Sequence, residues 1–173
     1  MTVILGIDPG SHVTGFGVVQ VFETTSGPRC IHSSHGVIAL PKNAALPERL
    51  KVLRQGMDQL LKKYQPHHVA IEQIFLGKSA DSAFKLGHAR GLVMADAACF
   101  GAEVHEYATR VIKRTVAGKG SADKEQVQAS VCRFLGLKHI EHLDASDALA
   151  LAIHHAQQLQ VQQILRRQQC KRI

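Results

Sequence analysis

The sequence predicts an α/β fold: a mixed sheet flanked by helices, with an antiparallel three-strand meander first and parallel strands after it. Three observations carry that expectation. Apolar, β-branched runs separated by turn residues fill the first forty positions. From Leu46 onward apolar residues recur at helical spacing, and these helices alternate with short buried-type strands. The 173 residues, 45% hydrophobic and 20% charged, suit one compact domain with its own core.

The first run, Val3-Ile4-Leu5-Gly6-Ile7, is continuous rather than alternating and stops at Asp8-Pro9-Gly10. That is the pattern of a central strand covered on both faces and ended by a turn. Residues 15–21 and 34–40 are the next two strands, with Ser26-Gly27-Pro28 turning between them. Leu46, Leu50, Leu53, Met57, Leu60 and Leu61 make one helical stripe, which Pro66 closes before the strand Val69-Ala70-Ile71-Glu72. A glycine-containing loop at 76–79 leads into a helix over 81–100, then a strand over 103–107. Helices over about 110–116 and 122–135 follow, and the last starts near Asp144. Residues 1–160 are expected to form the domain. Residues 161–173 are expected as a disordered basic tail, because 166–172 hold four cations and no acid.

Charge narrows the function. Lys and Arg number 21 against 14 Asp and Glu, a net +7, which suits a polyanionic partner such as nucleic acid. Cys30, Cys99, Cys132 and Cys170 lie far apart with no Cys-x-x-Cys pair, against a zinc ribbon or a secreted disulfide framework. Asp8 interrupts the first apolar run and no basic segment precedes it, so no signal peptide is expected. No stretch approaches the ~18 apolar residues of a membrane span. A cytoplasmic protein without a membrane partner is expected.

Carboxylates carry the chemistry. Two buried-type strands end in Asp8 and Glu72, and burying an ionised carboxylate costs several kcal/mol unless it is paired or bound to metal. Asp144-Ala145-Ser146-Asp147 opens an apolar helix, and the i,i+3 spacing puts both acids on one face of its first turn. A helix cap would explain Asp144 and the helix dipole Asp147, so for that pair alone both readings stand. Four such acids in a basic protein imply divalent cations, magnesium or manganese by their preference for oxygen ligands. One or two such ions acting in phosphodiester hydrolysis is the chemistry these residue types suit.

Four motifs then resemble one family. Leu5-Gly6-Ile7-Asp8-Pro9-Gly10 with Thr14-Gly15-Phe16-Gly17-Val18 is similar to the first strand pair of the RuvC-type Holliday junction resolvases. Ala70-Ile71-Glu72-Gln73-Ile74-Phe75 with residues 80–91 resembles the second signature. Residues 111–116 through Lys124-Glu125-Gln126-Val127-Gln128 resemble the third, and Asp144-Ala145-Ser146-Asp147-Ala148-Leu149-Ala150 the fourth. The sequence departs from the family pattern at His12, Ser79, His88 and Arg114, none of them one of the four acids.

The resemblance implies a ribonuclease H-like fold over residues 1–160, a homodimer, and a magnesium-dependent endonuclease that nicks four-way DNA junctions in symmetric pairs. Asp8, Glu72, Asp144 and Asp147 match the family's catalytic, metal-binding carboxylates, and Lys113 and Lys124 its basic residues near the scissile phosphate. It implies RuvA and RuvB, the branch-migration proteins, as partners. A ribonuclease H-like nuclease acting on structured RNA is the alternative.

Residues 110–138 hold seven cations against two acids, a natural phosphate-facing surface. Arg110, Lys113, Arg114, Lys119 and Lys124 within it, together with Lys78, are the candidate DNA contacts. Phe75 is either core or a ring that stacks on opened bases, and the resemblance favours stacking. Ala83, Gly87, Gly91, Ala95 and Ala98 form a small-residue stripe that suits packing on the protein's own sheet or a dimer seam. The eleven histidines show no ligand-like spacing, and His154 reads as a helix-surface residue. An actin-like nucleotide-binding reading of Asp8-Pro9-Gly10 would need a second lobe for which 173 residues have no room. A DNA-binding module without catalysis gives the four acids no purpose.

Overall fold

The computed structural model describes residues 1–22, 24, 29–73 and 80–170. Five strands, β1 (Thr2–Asp8), β2 (Val13–Phe22), β3 (Arg29–Ala39), β4 (His68–Glu72) and β5 (Glu103–Tyr107), form one sheet in the order β3-β2-β1-β4-β5. β1 to β3 are the expected antiparallel meander, and β4 and β5 add in parallel beyond β1. The helices are α1 (Leu46–Tyr64), α2 (Ala80–Phe100), α3 (Thr109–Ala117), α4 (Lys124–Leu135) and α5 (Leu143–Cys170).

Strand alternation sorts the core into two layers. Val3, Leu5, Ile7, Val69 and Ile71 point to the α1–α2 side, where they pack with Leu53, Met57, Val93 and Ala97. Ile4, Val19, Val21 and Ala70 point to the other side, against Ile112, Val127, Val131, Leu149 and Ile153 of α3, α4 and α5. By the same period of two, Asp8 and Glu72 share the α5-facing side with Ile4 and Ala70, and so does His68.

Two glycines bring α5 down onto that side. A Cβ on Gly6 would stand 1.9 Å from the Ala148 carbonyl oxygen, and one on Gly15 would stand 2.0 Å from that of Asp144. Gly15 pairs with Asp8 across β1 and β2. The helix start that carries two acids therefore rests directly beside the strand end that carries the third.

Several boundaries differ from the sequence expectation. β3 begins at Arg29 rather than Ser34, because its first residues pair with β2 on an edge and carry no continuous apolar signal. α4 starts at Lys124, set by a capping box between Asp123 and Gln126. α5 continues to Cys170, so residues 161–170 are helical rather than a disordered tail. Gln, Leu and Arg, good helix formers, fill that stretch. The small-residue stripe of α2 does not pack on the sheet. Ala89, Val93 and Ala97 are the buried side of the helix, whereas Gly87 and Gly91 have no described residue within 4 Å of a would-be Cβ.

Candidate active site

Asp8 ends β1, Glu72 ends β4, and Asp144 and Asp147 lie in the first turn of α5. α5 begins at Leu143, so Asp144 sits inside the helix rather than capping it. One ligand oxygen each from Asp8, Asp144 and Asp147 can be chosen so that all lie within 4.8 Å of one another. Glu72 stands outside that trio, but it lines the same cavity of about 160 Å³ with Asp8, Asp147, Lys113, Lys124 and Thr109.

Two lysines border the acids. Lys124 Nζ lies 3.3 Å from Asp144 Oδ1 and 3.1 Å from Asp147 Oδ2. Burial alone would lower its pKa, but hydrogen bonds and charge from Asp147 and Asp144 outweigh burial and hold it well above the usual lysine range. Lys113 lines the cavity from α3, and its Nζ donates to the Ala122 carbonyl oxygen at 2.7 Å. Burial raises the Asp147 carboxyl, opposed by Lys124 and Lys113. Asp8 is held well above the ordinary carboxylate range by burial, then by the charges of Glu72 and Asp147, against the pull of Lys124. Such a site is short of positive charge.

The donor set is all oxygen, which fits a hard divalent cation of the magnesium class. A divalent ion there would supply the charge that Asp8 lacks.

The surroundings of Glu72 include Thr109, which no sequence motif marked, and Arg90, which lies within the second motif without a role assigned to it. Thr109 opens α3 directly after β5, and its hydroxyl donates to the Glu72 carboxylate. Arg90 of α2 donates to the Glu72 carbonyl oxygen at 3.1 Å and pairs with Glu106 of β5, fixing the end of β4 from behind. A hydroxyl right after a strand end that neighbours an acid is the signal that could have found Thr109.

The remaining predicted contacts separate. Arg110 and Arg114 lie exposed on α3, and Lys119 lies exposed in the turn before α4. Phe75 and Lys78 lie outside the described residues.

The histidines gather, contrary to their sequence spacing. His154 is 1% exposed and 3.0 Å from the Thr115 hydroxyl, so it is not a surface residue. His68, His105 and His155 come together at the opposite end of the same sheet face. Burial, then His105, His68 and His154, pulls the His155 pKa down to about 3, so that ring is neutral.

A profile of the crossover junction endodeoxyribonuclease RuvC family matches residues 4–155, most of the chain, a span that includes all four acids. The chain belongs to the RuvC family. A crossover junction endodeoxyribonuclease RuvC from Bdellovibrio bacteriovorus is 50% identical over 165 residues, covering 95% of this chain and 96% of that one. The solved Thermus thermophilus RuvC structure superposes with a TM-score of 0.79 at 32% identity, covering 90% of this chain and 93% of its own. The same T. thermophilus protein in complex with a Holliday junction substrate gives 0.79 at 29% identity, with the same coverage. The RuvC likeness carries the ribonuclease H-like fold expected from the motifs. No described helix of this RuvC-family chain is long and apolar enough to cross a membrane.

Proposed function

We propose that the chain is a magnesium-dependent endonuclease that resolves four-way DNA junctions by paired, symmetric nicks during recombination and repair. It would leave 5′-phosphate and 3′-hydroxyl ends. One observation carries the reading most: Asp8, Glu72 and Asp147, from two strand ends and a helix start, line one cavity with Lys113 and Lys124, and Asp144 clusters with Asp8 and Asp147 at its edge.

Asp8, Asp144, Asp147 and Glu72 are the residues that would hold one or two magnesium or manganese ions, and the ions would activate water and steady the leaving oxygen. The Glu72 carboxylate is oriented by the Thr109 hydroxyl. Lys124 holds Asp144 and Asp147 together and, with Lys113, faces the scissile phosphate, whose developing charge both ammonium groups stabilise. Arg110, Arg114 and Lys119 contact the DNA backbone, supplying affinity rather than rate. Lys78 belongs to the same backbone group, and Phe75 stacks on bases opened at the crossover.

A junction has two like strands to cut, so one site per chain calls for a two-fold dimer. The outward stripe of α2, with Gly87 and Gly91 unobstructed by any described residue and Phe84 70% exposed beside them, supports that seam. RuvA and RuvB are the branch-migration partners we assign, and the cytoplasm the site of action.

A gel comparison of a synthetic four-way junction, linear duplex and structured RNA, with and without magnesium, tests the reading. Paired nicks in the junction alone, dependent on magnesium, are expected. Equal cutting of duplex or RNA, or cutting in chelator, would overturn it.

A further inference from the structure

Three histidines converge where no sequence motif placed them. His68 opens β4, His105 lies within β5, and His155 lies in α5. One ring nitrogen from each can be chosen so that all lie within 4.8 Å of one another. Glu103 sits two residues before His105 on the same strand face and pairs with His68 in the parallel register. Its Oε2 stands 3.6 Å from His68 Nδ1 and 3.5 Å from His105 Nε2, and those two nitrogens are 3.3 Å apart.

Those separations have a chemical meaning. Four ligands at about 2.0–2.1 Å around a tetrahedral zinc-class ion stand roughly 3.3–3.4 Å from one another. The three measured edges come within a few tenths of an ångström of that figure.

His155 gives the second, independent observation. Its ring is 1% exposed, its Nδ1 is 2.7 Å from the Tyr107 hydroxyl, and its Nε2 has no hydrogen-bond partner among the described residues. With Nδ1–H donating to the Tyr107 oxygen, Nε2 carries a bare lone pair. An acceptor behind the ring that fixes the tautomer in this way is the usual companion of a metal-bound imidazole. A purely structural histidine stack would leave that nitrogen unsatisfied.

We propose that His68, His105 and His155, with Glu103 as the fourth ligand, form a second metal site that takes a divalent transition ion of the zinc class. Imidazole nitrogens select such ions over magnesium, so this site and the all-oxygen cavity take different metals. Four residues along β4 separate His68 from Glu72, about 13 Å, and eight along α5 separate Asp147 from His155, about 12 Å. The Glu103 side chain is 72% exposed, which leaves a route in from solvent. The ion ties edge strand β5 to β4 and α5, the two elements that carry Glu72 and Asp147.

The test is Co2+ titration of the full chain in excess magnesium, read by visible absorbance and repeated with Zn2+ by calorimetry and melting. One ion per chain is expected, with the strong bands of tetrahedral cobalt and no sulfur-to-metal charge transfer. The melting temperature should rise by about 5–10 °C at zinc a hundredfold above Kd. His105→Ala should bind at least about 100-fold more weakly and Glu103→Ala about 10-fold, while Asp147→Asn leaves Co2+ binding unchanged. Both cluster variants should keep magnesium-dependent junction cutting or, failing that, a native circular dichroism spectrum. Equal affinity in folded His105→Ala or Glu103→Ala, thiolate bands, or no binding at about 100 µM Co2+ overturns the proposal.

Discussion

The two ends of one sheet face hold opposite chemistry. At one end Asp8 and Glu72 finish β1 and β4 beneath the first turn of α5, and every donor is oxygen. At the other, His68 starts β4, His105 lies beside it on β5, and α5 supplies His155 two turns further along. Strand alternation and helix rise place both groups on the same face, so neither position alone explains the difference. Donor type does. A crowded oxygen cluster calls for a hard cation and suits phosphodiester chemistry, whereas three imidazoles suit a softer ion and a structural role.

Paired substitutions at the two ends should break that symmetry most visibly. Glu72→Gln or Asp147→Asn should lower single-turnover junction cleavage by about 10²–10³-fold or more, with junction affinity unchanged. His105→Ala, on the same face, should stay within about twofold in magnesium. Loss of cleavage in both, with folding intact, would erase the contrast.

Gly15→Ala strikes what holds the carboxylate end together. A methyl group 2.0 Å from the Asp144 carbonyl oxygen must push α5 off β2, so a loss of about 3 kcal/mol of stability is expected in a chemical melt. Gly87→Ala on the open face of α2 should cost nothing there.

Much of the carboxylate end was legible because each acid sits at a local punctuation mark. Asp8 and Glu72 end apolar runs, and Asp144 and Asp147 open one at i,i+3 spacing. The histidine end was not legible, because its members come from three elements and meet only through the register of β4 with β5 and the descent of α5. His154 misled for a related reason: its helix face is covered by α3, which periodicity within α5 alone cannot reveal. The length of α5 was missed because charge suggested disorder, while the helix propensity of residues 161–170 pointed the other way.

Thr109→Val should sharpen the account of Glu72. Without the donated hydrogen bond the carboxylate loses its orientation, and cleavage should slow by about 10-fold at unchanged junction affinity. Thr109→Ser should restore the rate, which a mere packing role would not allow.

The smallest expected effect has a telling sign. The Asp8 carboxyl is raised in the fold, first by burial and then by Glu72 and Asp147, so its ionised form opposes folding. That contribution favours the folded chain below the unfolded pKa and is lost as pH rises through the raised value. In chelator at pH 7, Asp8→Asn should therefore melt about 2–4 °C above the native chain. Magnesium should raise the native melting temperature and leave the variant unmoved.

Single-turnover cleavage of a saturated four-way junction by Asp8→Asn in magnesium tests the central claim most directly. The variant should bind the junction as the native chain does and leave it uncut over the time in which the native chain finishes. Retention of more than about a few per cent of the native rate, far above the loss expected for a removed charge-stabilising group, would take Asp8 out of the catalytic set and contradict the metal-site reading.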